Sequence, residues 1–354
     1  MHSSSRGDSY SGSSHNNQQH GDDRRQRQHD RPQHGPSNSN SAVTQIARHY
    51  NDRPDLGVAH RQQSKILCLK NFNNWIKSVL ISVHCPDRAN ILDLCGGKGG
   101  DLNKLMLKKP QNYVLADVAH QSVKDAVDRF NSKRYNNPSA FIAADCFKKN
   151  LLEDLPDNLK FDFVSCQFAL HYSFESEERV DSLLYNASCR LNPGRYFVCT
   201  IPNAYWIVKR LREADGESFG NPLYRFDFRD KEKLTRFGCT YNFSLVESVD
   251  SCPEFLVHIP TLADIGRRYG LELIKCTGSH DYFSENCQAF ETLLQRMNVF
   301  NDRGTISKEE WEAAGVYMVV IFRKNGEKRE PKRESPNPLG NGGRRVSHAD
   351  IMVK

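Results

Sequence analysis

The sequence predicts an α/β fold: a doubly wound, mostly parallel sheet of seven strands, with helices on both faces and a small antiparallel insertion. Three observations predict it. Strand-like and helix-like segments alternate from Asn90 to Ile201, the order that crossover connections impose on a parallel sheet. A turn with four glycines, Gly96, Gly97, Gly99 and Gly100, follows the first strand directly. Beyond Pro202 the alternation gives way to three closely spaced strand-like runs before it resumes.

Taken in order, Ser64 to Val83 places Ile66, Leu69, Trp75, Ile76, Val79 and Leu80 at spacings of three and four, which predicts an amphipathic helix. Its middle, NFNNW, is rich in asparagine, a poor helix former better suited to side-chain hydrogen bonding. NILDLC predicts the first strand, and after the glycine turn GDLNKLMLKK predicts a helix ended by Pro110. NYVLAD, SAFIAAD and FDFVSCQF predict the next three strands. HQSVKDAVDRFNSK and the run from Glu175 to Arg190 supply the helices between them, and GRYFVCTI predicts a strand after the turn LNPG. PLYRFDF, TYNFSLVESV and EFLVHI predict the insertion, at about 215–258. TLADIGRRYG predicts a helix stopped by Gly270, and LELIKC and GVYMVVIF predict the last two strands.

Composition sets the boundaries. Residues 1–43 are almost free of aliphatics, and 325–354 are rich in proline, glycine and charge, so both predict disordered tails around a domain at 44–324. The net charge of +6 is weak support for a polyanionic partner. Arg24, Arg25, Arg27 and Lys328, Arg329, Lys332, Arg333 suit phosphate attraction, nuclear import or plain solvation alike. Eleven cysteines without a Cys-x-x-Cys pair predict free thiols in a reducing compartment, and no metal site. No apolar run of roughly eighteen residues occurs, so no membrane contact is expected.

In a doubly wound sheet the ligand lies at the carboxyl ends of the strands. NYVLAD ends on Asp117, FIAAD on Asp145, and FDFVSCQ runs into Gln167. Asp117 follows the glycine turn by roughly twenty residues, where an acid accepts from ribose hydroxyls. The turn fits a nicotinamide fingerprint poorly, because Cys95 and the spacing after Asp93 depart from it. It is closer to the loop of S-adenosylmethionine enzymes, whose cofactor has no phosphate to cradle. Loop and strand ends together favour a methyltransferase over a dehydrogenase. Asp93 is expected to buttress the loop.

Seven stretches carry a closer resemblance: NFNNWIKSVLI, LDLCGGKGGDL, CQFALHYSFES, ESFGNPLY, FGCTYNFSL, PEFLVHIP and SKEEWEAAGVYMVVIF. With these the chain resembles the eukaryotic mRNA cap guanine-N7 methyltransferases, from about Tyr50 to Phe322. The resemblance implies a Rossmann-like methyltransferase fold and transfer of methyl from S-adenosylmethionine to N7 of the 5′ GpppN cap guanosine, leaving S-adenosylhomocysteine. It implies that Lys77, Cys95, Gly97, Asp117, Asp145, Gln167 and Tyr172 bind the cofactor. It further implies that Asn73, Asn74, His171, Glu254 and Tyr317 hold the cap guanosine, with Lys98, Lys104 and Arg129 along the phosphates. The capped 5′ end of nascent mRNA is the implied partner, with the transcription or capping machinery, in the nucleus; a monomer is expected.

Guanine N7 carries a lone pair and no proton, so the implied chemistry needs positioning and electrostatics and no general base. Plainer roles stand beside these: Asn73 and Asn74 also suit a bent helix, His171 a core position, Glu254 a solvated one, Lys98 and Lys104 an exposed helix face, and Tyr317 the core. Two rival functions share the fold: a small-molecule methyltransferase, and a non-catalytic cap- or RNA-binding subunit. Cys95 stands where the family usually has glycine, and a thiol fits comfortably only if φ there is negative. Only the short RMNVFNDRGTI precedes Ser307, where vertebrate members carry a longer insertion that docks an activating subunit. That argues against such a subunit here.

Overall fold

Strands apolar at nearly every position must be covered on both faces, and these are. A computed structural model describes residues 62–327 and 338–354. The expected tail at 1–43, residues 44–61 and the basic cluster from Lys328 to Arg333 lie outside the described residues. β1 (Asn90–Leu94), β2 (Asn112–Asp117), β3 (Ser139–Ala143), β4 (Phe161–Gln167) and β5 (Leu191–Pro202) run parallel in the order β3-β2-β1-β4-β5. Successive residues face opposite sides. Ile91, Leu115, Phe163 and Val198 fill one apolar cluster, while Leu92, Val114, Val164 and Phe197 fill the other. The chain moves outward from β1 to β3, then returns to place β4 on the other side of β1. That reversal opens a crevice at the carboxyl ends of β1 and β4.

Each helix that frames the crevice has a local reason to start or dock where it does. α1 (Leu67–His84) buries Phe72 and Trp75 against Trp311 and Phe283, with ring centroids 5.6 and 5.4 Å apart. Its Leu69 N–H, unpaired in a first turn, donates to Glu310 Oε1 at 3.1 Å. The asparagine-rich middle behaves as composition suggested. Asn71 donates to the Asn298 carbonyl, and Asn74 donates to that of Lys70 while its own oxygen accepts from Lys104. α2 (Leu102–Met106) is shorter than expected, and α3 (His120–Ser132) covers β2 and β3. After a 3-10 turn at Leu170–Glu175, Ser176 caps α4 (Glu177–Ser188) by accepting from the Arg179 N–H.

Beyond β5 come α5 (Ala204–Glu213) and a separate antiparallel sheet of β6 (Ser218–Gly220), β7 (Tyr224–Phe228), β8 (Thr240–Leu245) and β9 (Val249–Phe255). TYNFSLVESV, expected as one strand, is a hairpin. It breaks after Leu245 because Glu247 takes a left-handed φ of 57°. α6 (Ile259–Arg268), β10 (Leu271–Gly278), α7 (Ser279–Asn286), α8 (Glu291–Arg296) and α9 (Lys308–Ala314) lead to β11 (Tyr317–Lys324), which inserts antiparallel between β5 and β10.

Two expectations need correction here. Among the described residues the sheet has eight strands, because β12 (Met352–Val353) pairs parallel with β3. The disordered tail expected over 325–354 is therefore ordered structure at 338–354. Val346 and Ile351 are buried, and the Asn341 amide both donates to the Ser139 carbonyl and accepts from its N–H. The polar, glycine-rich composition concealed a few apolar residues placed to close an otherwise open sheet edge.

Candidate active site

The glycine turn sets the first wall of the crevice. A Cβ at Gly96 would meet Leu115 at 2.8 Å, so only glycine fits under β2 there. Cys95, Gly97 and Gly99 all take left-handed φ, of 55°, 51° and 69°. The negative φ required of Cys95 is thus contradicted. The chain must turn sharply out of β1, with the Gly96 N–H held by the Ala116 carbonyl at 3.1 Å, and the turn demands this conformation whichever side chain is present. The thiol goes inward among apolar groups. Contact with Cys146 favours its thiolate, but contact with Cys166 and burial outweigh this and push Cys95 well up, so it remains a thiol.

A cavity of about 190 Å³ opens above this turn. It is lined by Cys95, Gly97, Asp117, Asp145, Gln167 and Tyr172, six of the seven residues expected at the cofactor. Backbone geometry presets both carboxylates. Asp117 accepts from the N–H groups of Gly97 (2.9 Å) and Ala119 (2.8 Å); burial pushes it up, and these donors offset that only in part, so it stays raised. Asp145 accepts from the Phe147 N–H at 2.9 Å and from Arg179 at 3.2 Å. Gln167 is fixed by Thr200 and Ser165. Two hydrogen-bond-accepting carboxylates on an apolar slot lined by Val118 and Phe147 fit a nucleoside.

Lys77, the seventh residue, does not line this cavity. Its Nζ lies 2.8 Å from Asp101, which also takes Lys104 at 2.7 Å. Burial pushes Asp101 up, but the two lysines outweigh it and hold the carboxyl at about 2. Beside it Asp93, buried under the loop and bonded by the Tyr113 hydroxyl, is pushed up to about 7 by burial and by the charge of Asp101. Asp93 Oδ2 also lies 3.0 Å from where a Cβ on Gly96 would stand, directly beneath the turn.

A second cavity, of about 160 Å³, brings together Asn73 from α1, His171, Glu254 from β9 and Tyr317 from β11. Glu254 Oε2 accepts from the Tyr241 hydroxyl at 3.0 Å, and Oε1 lies 3.5 Å from His171 Nε2. Burial and the Glu254 charge push the Tyr241 phenol well up, which keeps it a donor. His171 is 2% exposed, and neither ring nitrogen has a hydrogen-bond partner among the described residues. Because the 3-10 turn rotates about 120° per residue, His171 faces this cavity while the next residue, Tyr172, faces the first.

Asn74, Lys98, Lys104 and Arg129 line neither cavity. Lys98 pairs with Asp125 at 2.9 Å, one helical turn before Arg129 on α3, and Lys104 bridges Asn74 and Asp101.

Sequence reasoning missed Phe168 and Arg179. Phe168 lines both cavities, holds a φ of 56°, donates its N–H to the Thr200 carbonyl and packs edge-on against Tyr317 at 4.9 Å. It stood inside CQFALHY, beside Gln167, but a phenylalanine gives no sign of left-handed backbone. Arg179 lies in a charged helix start with nothing to separate it from solvated neighbours.

Comparisons with known proteins identify the family. A model of the mRNA (guanine-N(7))-methyltransferase domain matches residues 34–325. The chain is 37% identical over 337 residues to mRNA cap guanine-N(7) methyltransferase 1 of Oryza sativa subsp. japonica, covering 90% of each. It is 39% identical over 327 residues to the mRNA cap guanine-N(7) methyltransferase of Drosophila melanogaster, covering 79% of this chain and 76% of that one. The Schizosaccharomyces pombe protein of that name is 38% identical over 303 residues, covering 82% and 84%. Among solved structures, the CcbJ methyltransferase of Streptomyces caelestis superposes with a TM-score of 0.48 at 15% identity, over 82% of this chain and 100% of that one.

Proposed function

The chain belongs to the mRNA (guanine-N(7))-methyltransferase family, and we propose that its two cavities hold S-adenosylmethionine and the cap guanosine on either side of Phe168. The reaction is methylation of N7 of the guanosine at the 5′ GpppN end of mRNA. S-adenosylmethionine supplies an electrophilic methyl on a sulfonium and leaves as S-adenosylhomocysteine.

The protein's part is positioning. Asp117 accepts from the ribose, Asp145 and the apolar slot take the adenine, and Gln167 and Tyr172 close the floor. On the other side, the Glu254 carboxylate accepts from the N1–H and N2–H₂ edge of guanine. That contact strengthens as positive charge moves onto the base, so it stabilises the transition state more than the ground state. Asn73 and the His171 ring, whose nitrogens make no hydrogen bond among the described residues, supply further polar contacts, and Tyr317 with Phe168 flanks the base. N7 has no proton to lose, so no residue acts as a general base. Lys98, Lys104 and Arg129 attract the triphosphate from beyond the cavity walls, and Lys77 acts through Asp101 and the Phe168 ring, 5.5 Å from its Nζ.

The observation that carries this reading is the single side chain, Phe168, shared by a carboxylate-lined nucleoside cavity and one built around Glu254 and His171. On the same reading residues 44–324 are the catalytic unit, with the insertion at about 215–258. The protein acts as a monomer on nascent transcripts in the nucleus, beside the transcription or capping machinery. Only the short stretch 297–307 separates α8 from α9, which supports working without a vertebrate-type activating subunit. Incubating the purified chain with GpppG-capped RNA and methyl-labelled S-adenosylmethionine tests the reading. Labelled 7-methylguanosine after cap digestion is expected; none, from a folded chain that binds the cofactor, would overturn it.

A further inference from the structure

Outside these cavities lies a groove of about 700 Å³. One wall is α5, which starts two residues after Pro202 of the guanine cavity. The others are Leu234–Arg236, between β7 and β8, and Leu256–Pro260, which starts two residues after Glu254. On the placement of the cap proposed above, any occupant would sit next to the capped end.

The groove has two chemistries. Val208, Leu234, Leu256 and Ile259 form an aliphatic lining. Exposed Lys209, Arg212 and Arg236 rim it against one carboxylate, Glu213, which lies 4.0 Å from Lys209. His258 is committed elsewhere, because its Nδ1 caps α6 through Thr261. Nucleic acid grooves combine cations with aromatic platforms on which bases stack; the rings here are Tyr205, 61% exposed, and His258, held at Nδ1 by Thr261, and the aliphatic side chains outnumber them. An aliphatic lining under a cationic rim instead matches a peptide with aliphatic anchors and carboxylates. We propose that this groove docks an acidic, leucine-type peptide segment of a partner protein. Its aliphatic side chains would lie along Val208, Leu256 and Ile259, with its carboxylates on Arg212 and Arg236.

The test titrates the full chain against a fluorescein-labelled dodecapeptide of repeating Leu-Glu-Glu. A Gly-Glu-Glu peptide and an uncapped oligoribonucleotide of matched length are titrated alongside. Saturable binding of the Leu-Glu-Glu peptide is expected, weakening with salt. The Gly-Glu-Glu peptide should bind more weakly. Combined Arg212→Glu and Arg236→Glu should reduce Leu-Glu-Glu affinity roughly tenfold and leave GpppG methylation unchanged. Absence of saturable binding, or binding indifferent to the charge reversal, would overturn the proposal. So would oligoribonucleotide binding that depends on the two arginines while peptide binding does not, or loss of GpppG methylation in the charge-reversed chain, which would make the groove part of the cap site.

Discussion

The two cavities that meet at Phe168 are assembled by opposite means. In the cofactor cavity, each carboxylate is set by backbone within two residues of itself or by the loop beside it: Asp145 by the Phe147 N–H, Asp117 by the Gly97 and Ala119 N–H groups. In the cavity proposed for the guanine, the polar groups come from α1, the 3-10 turn, β9 and β11. There Glu254 is held by a side chain, Tyr241, and His171 has no hydrogen-bond partner among the described residues. Backbone donors at strand ends preset a site as soon as the sheet forms. Side chains gathered from distant elements preset it only once the insertion has docked. The first cavity should therefore be the more tolerant of conservative change around it, and the second the more sensitive.

The largest expected break in this contrast is Glu254→Ala. Loss of a group aimed at developing charge lowers kcat/KM for GpppG by roughly a hundredfold or more, while cofactor affinity by equilibrium dialysis stays as it was. Unchanged turnover would remove Glu254 from the site. Glu254→Gln keeps an acceptor for Tyr241 but cannot accept at both guanine donors, so it should resemble alanine in rate and the parent in stability. Asp117→Ala is the mirror case. Losing charge-assisted bonds to the ribose should raise the cofactor dissociation constant by roughly tenfold to a hundredfold, with a smaller change in KM for the cap. Equal effects on both ligands would mean that the cavities do not behave as separate constructions.

The same contrast explains what could be seen beforehand. Periodicity and strand-end acids put Asp117, Asp145 and Gln167 at one edge, because a parallel sheet with one switch point leaves them nowhere else. Nothing local marks Glu254, which is an acid after a proline in a short strand. Its place beside His171 follows from the docking of β9, a tertiary fact, and only the family resemblance brought the two together. Phe168 escaped notice because its importance lies in a backbone conformation that its side chain does not announce. The tail at 338–354 was misjudged because apolar content averaged over the whole stretch is too low to reveal Val346 and Ile351. Lys77 and Lys104 could be placed near the site, but not their shared commitment to Asp101.

A smaller effect sharpens the contrast within the guanine cavity. Tyr241→Phe removes the hydroxyl that steadies Glu254 and leaves the ring in place, so Tyr241 is a positioning residue. One hydrogen bond of ordinary worth predicts about a fivefold rise in KM for GpppG, with kcat and cofactor affinity little changed. A fall in kcat with unchanged KM would mean that Tyr241 acts in the chemical step.

The smallest effect lies in the cofactor cavity, at the residue whose backbone contradicted expectation. A left-handed φ costs a non-glycine residue roughly 1–2 kcal/mol, and glycine gives back about 0.4–1 kcal/mol by loosening the unfolded chain. Comparing Cys95→Gly with the parent would mix this strain with loss of the thiol contacts to Cys146 and Cys166. Comparing Cys95→Gly with Cys95→Ala isolates the backbone, since both variants lack the sulfur. The glycine variant should melt higher than the alanine variant by about 1–3 °C in calorimetry, with equal cofactor affinity because the Gly97 N–H and Asp117 stay where they are. An alanine variant that melts at or above the glycine one would mean that position 95 is not left-handed. The turn would then hold its carboxylate by some geometry other than the one that makes this cavity stiff.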